Sequence, residues 1–167
     1  MALKTNINKF LADTACFDLQ FRRDVRHKRT GSPVYYSWKA QFIVIGSLDK
    51  EDLLREIQGL IGCGKLHYIT AKQLRYSVQS IDDIHEKVIP FFKEHPLSES
   101  KKLNDFELWA KAVEIIHQNK GRSLSQWPKE SFGQLINIQK AIQKYKAKRV
   151  QNAKWLPVAE AVLEHLK

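Results

Sequence analysis

Cys16-Phe17-Asp18-Leu19-Gln20-Phe21-Arg22 alternates apolar and polar residues with a period of two. Successive side chains of a strand point to opposite faces. Phe17, Leu19 and Phe21 therefore share one face, and Cys16, Asp18, Gln20 and Arg22 the other. The pattern predicts a strand with one buried and one polar face. Residues 24–33 carry Gly31 and Pro33 and read as a long basic hairpin loop. Residues 34–45 then alternate again, with Trp38, Ala40, Phe42 and Val44 inward and Ser37, Lys39 and Gln41 outward.

Upstream, residues 6–13 fit a short helix with Ile7, Phe10 and Leu11 on one side. Downstream, residues 50–60 have helical spacing, with Leu53, Leu54, Ile57 and Leu60 as the apolar stripe. Gly62-Cys63-Gly64 stops that helix. Two further strands follow at 65–70 and 73–80, where Leu74, Tyr76 and Val78 alternate with Arg75, Ser77 and Gln79. Ser80 suits the cap of a helix over 81–95, and Asp82 and Asp83 suit its positive end. The remainder is helical. Phe106, Trp109, Ala110, Val113, Ile116 and His117 are spaced for a helix over 103–119. Pro128 fits the first turn of another helix running towards Lys148, and Pro157 opens a last one ending in Leu163 and Leu166. The reading is an α+β fold, helix–hairpin–helix–hairpin followed by helices, with a four-stranded antiparallel sheet. Its main domain spans 1–148, with a helical extension at 149–167.

The 167 residues hold 28 Lys and Arg against 18 Asp and Glu, a net charge of +10. The cations cluster. Arg22, Arg23, Arg26, Lys28 and Arg29 fall together, and so do Lys140, Lys144, Lys146, Lys148, Arg149 and Lys154. The polar strand rows add Lys39, Lys65, His67 and Arg75. One positive side of this kind attracts phosphate, and Gln, Arg, Lys and Ser also hydrogen-bond base edges. The expected partner is nucleic acid, RNA or DNA. The expected contacts are Gln20, Arg22, Arg26, Lys28, Arg29, Lys39, Gln41, Lys65, His67, Arg75, Lys140, Lys144 and Lys148. Tyr35 and Tyr36 adjoin the basic loop and are candidates to stack on a base or touch a phosphate. No apolar run reaches the ~20 residues of a membrane span, and no membrane partner is expected. Two cysteines make no disulfide framework or zinc site, and the six histidines show no metal-ligand spacing.

The later segments carry a resemblance. Ile89-Pro90-Phe91-Phe92-Lys93-Glu94-His95-Pro96-Leu97 is followed by Ser100-Lys101-Lys102 and by Asp105-Phe106-Glu107-Leu108-Trp109. Asp52-Leu53-Leu54 precedes Ile61-Gly62-Cys63-Gly64-Lys65-Leu66. In order and spacing, over residues 7–142, the chain resembles the LAGLIDADG homing endonucleases. The resemblance implies an αββαββα core whose saddle-shaped sheet lies on DNA. It also implies dimerisation through the signature helix, and two-metal phosphodiester hydrolysis with an acid at the end of that helix. Here the signature positions fall on residues 7–15, and the acid's place falls on Thr14. Asp13 stands at a normally small position. Asn8 and Lys9 replace the small residues of the helix seam, and Gly46 takes the place of a glutamine. The basic position is kept as Lys101 or Lys102.

The resulting expectation is a nucleic-acid-binding derivative without catalytic residues, metal or other cofactor. It is expected to be a monomer in isolation and to dock on DNA or on structured RNA, such as a ribosome or other ribonucleoprotein, or an intron. The alternative is a working Mg²⁺-dependent endonuclease with Asp13 as metal-binding catalytic residue beside Lys101 and Lys102. With no targeting segment evident, an organelle-encoded product of a mitochondrion or chloroplast is expected, or else a bacterial cytoplasmic one.

Overall fold

The computed structural model describes residues 4–24, 35–143 and 155–166. Helix α1 (Thr5–Thr14) buries Ile7, Leu11 and Ala12. Ala15 then turns extended, at φ −61° and ψ 131°, and delivers the chain into β1 (Cys16–Asp24). β1 pairs antiparallel with β2 (Tyr35–Ser47), which places Phe17 opposite Phe42 and Phe21 opposite Trp38. A 3₁₀ turn at Leu48–Lys50 leads into α2 (Glu51–Ile61), and β3 (Lys65–Thr70) and β4 (Gln73–Val78) form the second hairpin. The sheet order is β1-β2-β4-β3, so the second strand of each hairpin meets the other at the centre.

The alternation seen in the sequence sorts the sheet as expected. Phe17, Leu19, Phe21, Trp38, Ala40, Phe42, Val44, Leu74, Tyr76 and Val78 are all buried on one face. The helix layer covers that face. Besides α1 and α2 it comprises α3 (Ile81–Asp83), a π-helical turn (Ile84–Val88), α4 (Ile89–Glu94), α5 (Ser100–Gln118), α6 (Lys129–Gln143) and α7 (Trp155–His165). Phe17 is the hub, with the ring centroids of Phe42, Phe92, Phe106 and Trp109 5.2–5.7 Å from its own. α7 packs on α6 and β1, setting Trp155 edge-on to Trp38 at 6.2 Å and burying Ala159.

Several details depart from the sequence reading. Leu60 is 50% exposed and Ile61 takes its place in the core, so the stripe of α2 is Leu54, Ile57 and Ile61. Ala112 is buried on α5, whereas Ala110 is only half-buried. The single helix expected over 81–95 contains the π turn, in which the Ile89 amide donates to the Ile84 carbonyl. The next residue, Pro90, has no N–H with which to continue the ladder, and the register slips just before it. α7 starts at Trp155, with Pro157 inside its first turn. The boundary at 148/149 lies outside the described residues.

Candidate nucleic-acid interface

The sheet register sets the polar side chains in rows on the face away from the helices. Arg22 lies opposite Ser37, Gln20 opposite Lys39 and Asp18 opposite Gln41. Across the centre, Cys16, Ile43, Ser77 and Lys65 line up, and beside them Ile45, Arg75 and His67. Seven expected contacts therefore share one surface: Gln20, Arg22, Lys39, Gln41, Lys65, His67 and Arg75. Arg22, Lys65 and His67 are exposed. Arg75 is half-buried, with its Nε buried and without a hydrogen-bond partner. Lys140 is not brought to this face. It sits on α6, behind the sheet, 3.5 Å from the Glu160 carboxylate. Arg26, Lys28, Arg29, Lys144 and Lys148 lie outside the described residues.

The acid among these rows is covered by its neighbours on the same face. Asp18 is 8% exposed. Gln20 Nε2 and Gln41 Nε2 each donate to its Oδ2 at 2.8 Å, and Gln79 Nε2 reaches Gln41 Oε1 at 3.5 Å. From the helix side, Trp109 Nε1 donates to the Asp18 carbonyl at 2.9 Å. Two amides thus cover the carboxylate, and the cations dominate what the face shows to solvent. The sequence reading did not assign Ile43 and Ile45 to this surface. Their parity in the strand places them there, but their apolar character masks it. Ile45 is 42% exposed.

The end of α1 is built differently from what an acid-bearing signature would require. The Thr14 hydroxyl donates to the Phe10 carbonyl at 2.5 Å, a bond within its own helix. The Ala15 amide continues the helix to the Leu11 carbonyl at 2.9 Å. The Ala15 carbonyl accepts from the Lys102 ammonium. Glu99 caps α5, its carboxylate accepting from the backbone amides of Lys101 and Lys102 at 3.1 and 2.9 Å. Asp13, Lys101 and Lys102 line a common cleft of about 410 Å³ at this helix end. Mg²⁺ demands hard oxygen ligands and reluctantly sheds water. At the tip of α1 the Thr14 hydroxyl is committed to its own helix and the Ala15 carbonyl already holds an ammonium. The carboxylates that line the cleft are Asp13, Asp105 and Glu99, the last of them engaged by the Lys101 and Lys102 amides. Gly46 brings no polar side chain to the glutamine's place, and a Cβ there would sit tightly, 3.3 Å from both Leu54 Cδ1 and Lys50 Cβ.

Elsewhere the structure assigns packing roles. Tyr36 stacks on Phe21 at 5.6 Å and 21°, and so belongs to the core side and not to a base-stacking surface. The side chain of Tyr35 lies outside the described residues. Cys63 is a half-buried thiol pushed upward in pKa by desolvation, and burial also pushes up Tyr76, whose hydroxyl donates to the Cys63 carbonyl at 2.7 Å. On the helix layer, His85 and His117 stack in parallel at 3.9 Å. The Glu114 carboxylate meets His85 Nε2 at 2.7 Å, and that contact holds it below the usual carboxylate range. Asp82 is lowered by the Lys120 ammonium and faces His117 at 3.6 Å. The sequence reading missed this cluster. Its signal was the spacing of three in both Asp82/His85 and Glu114/His117, which sets each pair on one helix face.

The sequence pattern described as LAGLIDADG endonuclease matches residues 14–113. A probable intron-encoded DNA endonuclease 1 of Mycosarcoma maydis is 31% identical over 61 residues, which are 36% of this chain and 23% of that protein. The homing endonuclease I-TnaI superposes over 100% of both chains, with a TM-score of 0.68 at 20% identity. The meganuclease I-AabMI, solved bound to uncleaved DNA, gives 0.67 at 22% identity, over 90% of this chain and 47% of its own. I-SmaMI, solved with cleaved DNA, gives 0.68 at 18% identity over the same shares. The chain thus spans about half the length of these two meganucleases.

Proposed function

The chain belongs to the LAGLIDADG endonuclease family, and we propose that it binds duplex DNA across the polar face of its sheet and does not itself cut the strand. The rows from Arg22 to His67 supply both halves of such an interface: cations for phosphates, and glutamines for base edges. Relatives of this fold crystallised with DNA support duplex DNA as the partner. The observation that carries the loss of cleavage is the Thr14 hydroxyl, a neutral group committed to the Phe10 carbonyl, at the position where the resemblance calls for a metal-binding acid. The intron-encoded relative supports an origin in a mobile intron, with an organelle as the setting.

A second reading has one observation in its favour. Asp13 lines the same cleft as Lys101 and Lys102, and as a displaced acid it would make the protein a metal-dependent endonuclease. Duplex cleavage in Mg²⁺, compared between the native chain and Asp13→Asn, separates the two. Both proteins should show equal, background nicking. Cutting by the native chain that disappears in Asp13→Asn establishes the second reading. Competition decides the polymer. Displacement of bound duplex by structured RNA at equimolar concentration would make RNA the partner.

The same helix argues for a monomer in isolation. Asn8 Oδ1 is already buried without a hydrogen-bond partner, and Lys9 is exposed. Burying both in a seam between two copies adds desolvation without a matching partner. Light scattering should give the mass of one chain across a hundredfold range of concentration.

A further inference from the structure

Resting on the reading of the sheet as a DNA interface, we propose that Asp18 is a positioning residue for base recognition. Buried beneath Gln20 and Gln41, it fixes the orientation of both amides and thereby determines which groups they turn to a base. A glutamine amide has a donor end and an acceptor end of nearly equal shape, and a solvated one can present either. A carboxylate only accepts. Each glutamine must therefore turn its NH₂ group to Asp18, as both do, onto the same Oδ2 at 2.8 Å. The carboxylate is held by burial at 8% exposure, and its backbone is pinned by the Trp109 indole donating to the Asp18 carbonyl.

The orientation propagates one step further. Gln41 Oε1 takes the Gln79 NH₂ group at 3.5 Å, so the Gln79 amide also has its donor end turned inward. Gln20 and Gln79 are left with their carbonyl oxygens free for a ligand, and Gln20 keeps one N–H beside its own. In the major groove the exocyclic amino groups of adenine and cytosine are the donors that such oxygens meet. The acceptor–donor pair of Gln20 matches the N6 and N7 edge of adenine. The network thus selects amino-bearing edges, adenine above all, at the base pairs beneath Gln20 and Gln79.

This role has an electrostatic counterpart of opposite sign. An acid on a phosphate-facing surface weakens attraction to any duplex. Asp18→Asn keeps the shape, removes the charge and supplies a side chain that both donates and accepts, so the amides are free to turn over. Selection from a randomised 24-base-pair duplex library tests it, alongside the side-chain amide NMR spectrum of the free protein. The native chain should enrich a motif with adenine under Gln20. In Asp18→Asn the preference at those pairs should fall by about tenfold, affinity for unselected duplex should hold or rise, and the melting temperature should stay. The amide resonances of Gln20 and Gln41 should shift and average. An unchanged motif in Asp18→Asn overturns the proposal, and so does a preference lost only together with the folded state. A native chain that enriches no motif counts against DNA reading itself. The amide spectra then decide the positioning alone, and identical Gln20 and Gln41 signals in the two proteins refute it.

Discussion

The ammonium of Lys102 donates to the carbonyl of Ala15, 87 residues away, and so closes the last turn of α1 with a cation supplied by α5. The C-terminal end of a helix carries partial negative charge, and unsatisfied carbonyls gather there. Lys102 answers both from within the chain.

Lys102→Met keeps most of the stem and removes that charge. The expected cost is about 1–2 kcal/mol, from a lost charge-assisted hydrogen bond and a lost dipole partner. Chemical denaturation should show the midpoint falling with an unchanged slope. An unaltered midpoint would mean that water replaces the ammonium without loss.

Gly62 and Gly64, just past the end of α2, carry different constraints. Gly62 has φ of +87° and open space where a Cβ would stand, whereas a Cβ on Gly64, at φ +92°, would meet Tyr76 Cε2 at 2.7 Å and the Ser77 carbonyl oxygen at 2.8 Å. Gly62→Ala should cost about 1 kcal/mol, the strain of a left-handed backbone alone. Gly64→Ala adds a clash with a strand and should cost clearly more, about 3 kcal/mol or above. Thermal melting of the pair checks the order.

The His85–His117 cluster predicts an acid-side loss of stability. Contact with His85 lowers the pKa of Glu114 from 4.5, and the Lys120 ammonium lowers that of Asp82 from 3.8. Both carboxyls are lower in the folded chain than in the unfolded one. Their contribution is therefore complete above those ordinary values and disappears as pH falls through the lowered ones. Melting temperature should drop below about pH 4.5, and the double variant Asp82→Asn/Glu114→Gln should flatten that drop while changing little at pH 7, where exposed pairs contribute little.

Much of this was legible in the sequence because period-two alternation leaves little freedom. Phe17, Leu19 and Phe21 could occupy only one face, and Trp38 to Val44 had to join them. The polar rows followed from the same parity. What stayed hidden depends on tertiary distance. Nothing local announces that Lys102 meets Ala15, that Trp109 bonds the Asp18 backbone, or that Asp18 lies under two glutamines. Leu60 and Ile61 are equivalent by composition, and only the way α2 rests on the sheet separates them. The π turn was hidden because Pro90 reads equally well as the start of a helix.

If the polar sheet face binds DNA, its cations meet phosphates. The most direct test is the affinity for a 24-base-pair duplex as a function of salt, measured for the native chain, Arg22→Ala and Arg75→Ala. Binding by the native chain should weaken steeply with salt, and both variants should bind more weakly, with a log–log slope reduced by about one for each phosphate contact removed. Native affinity and native slope in both variants would contradict it.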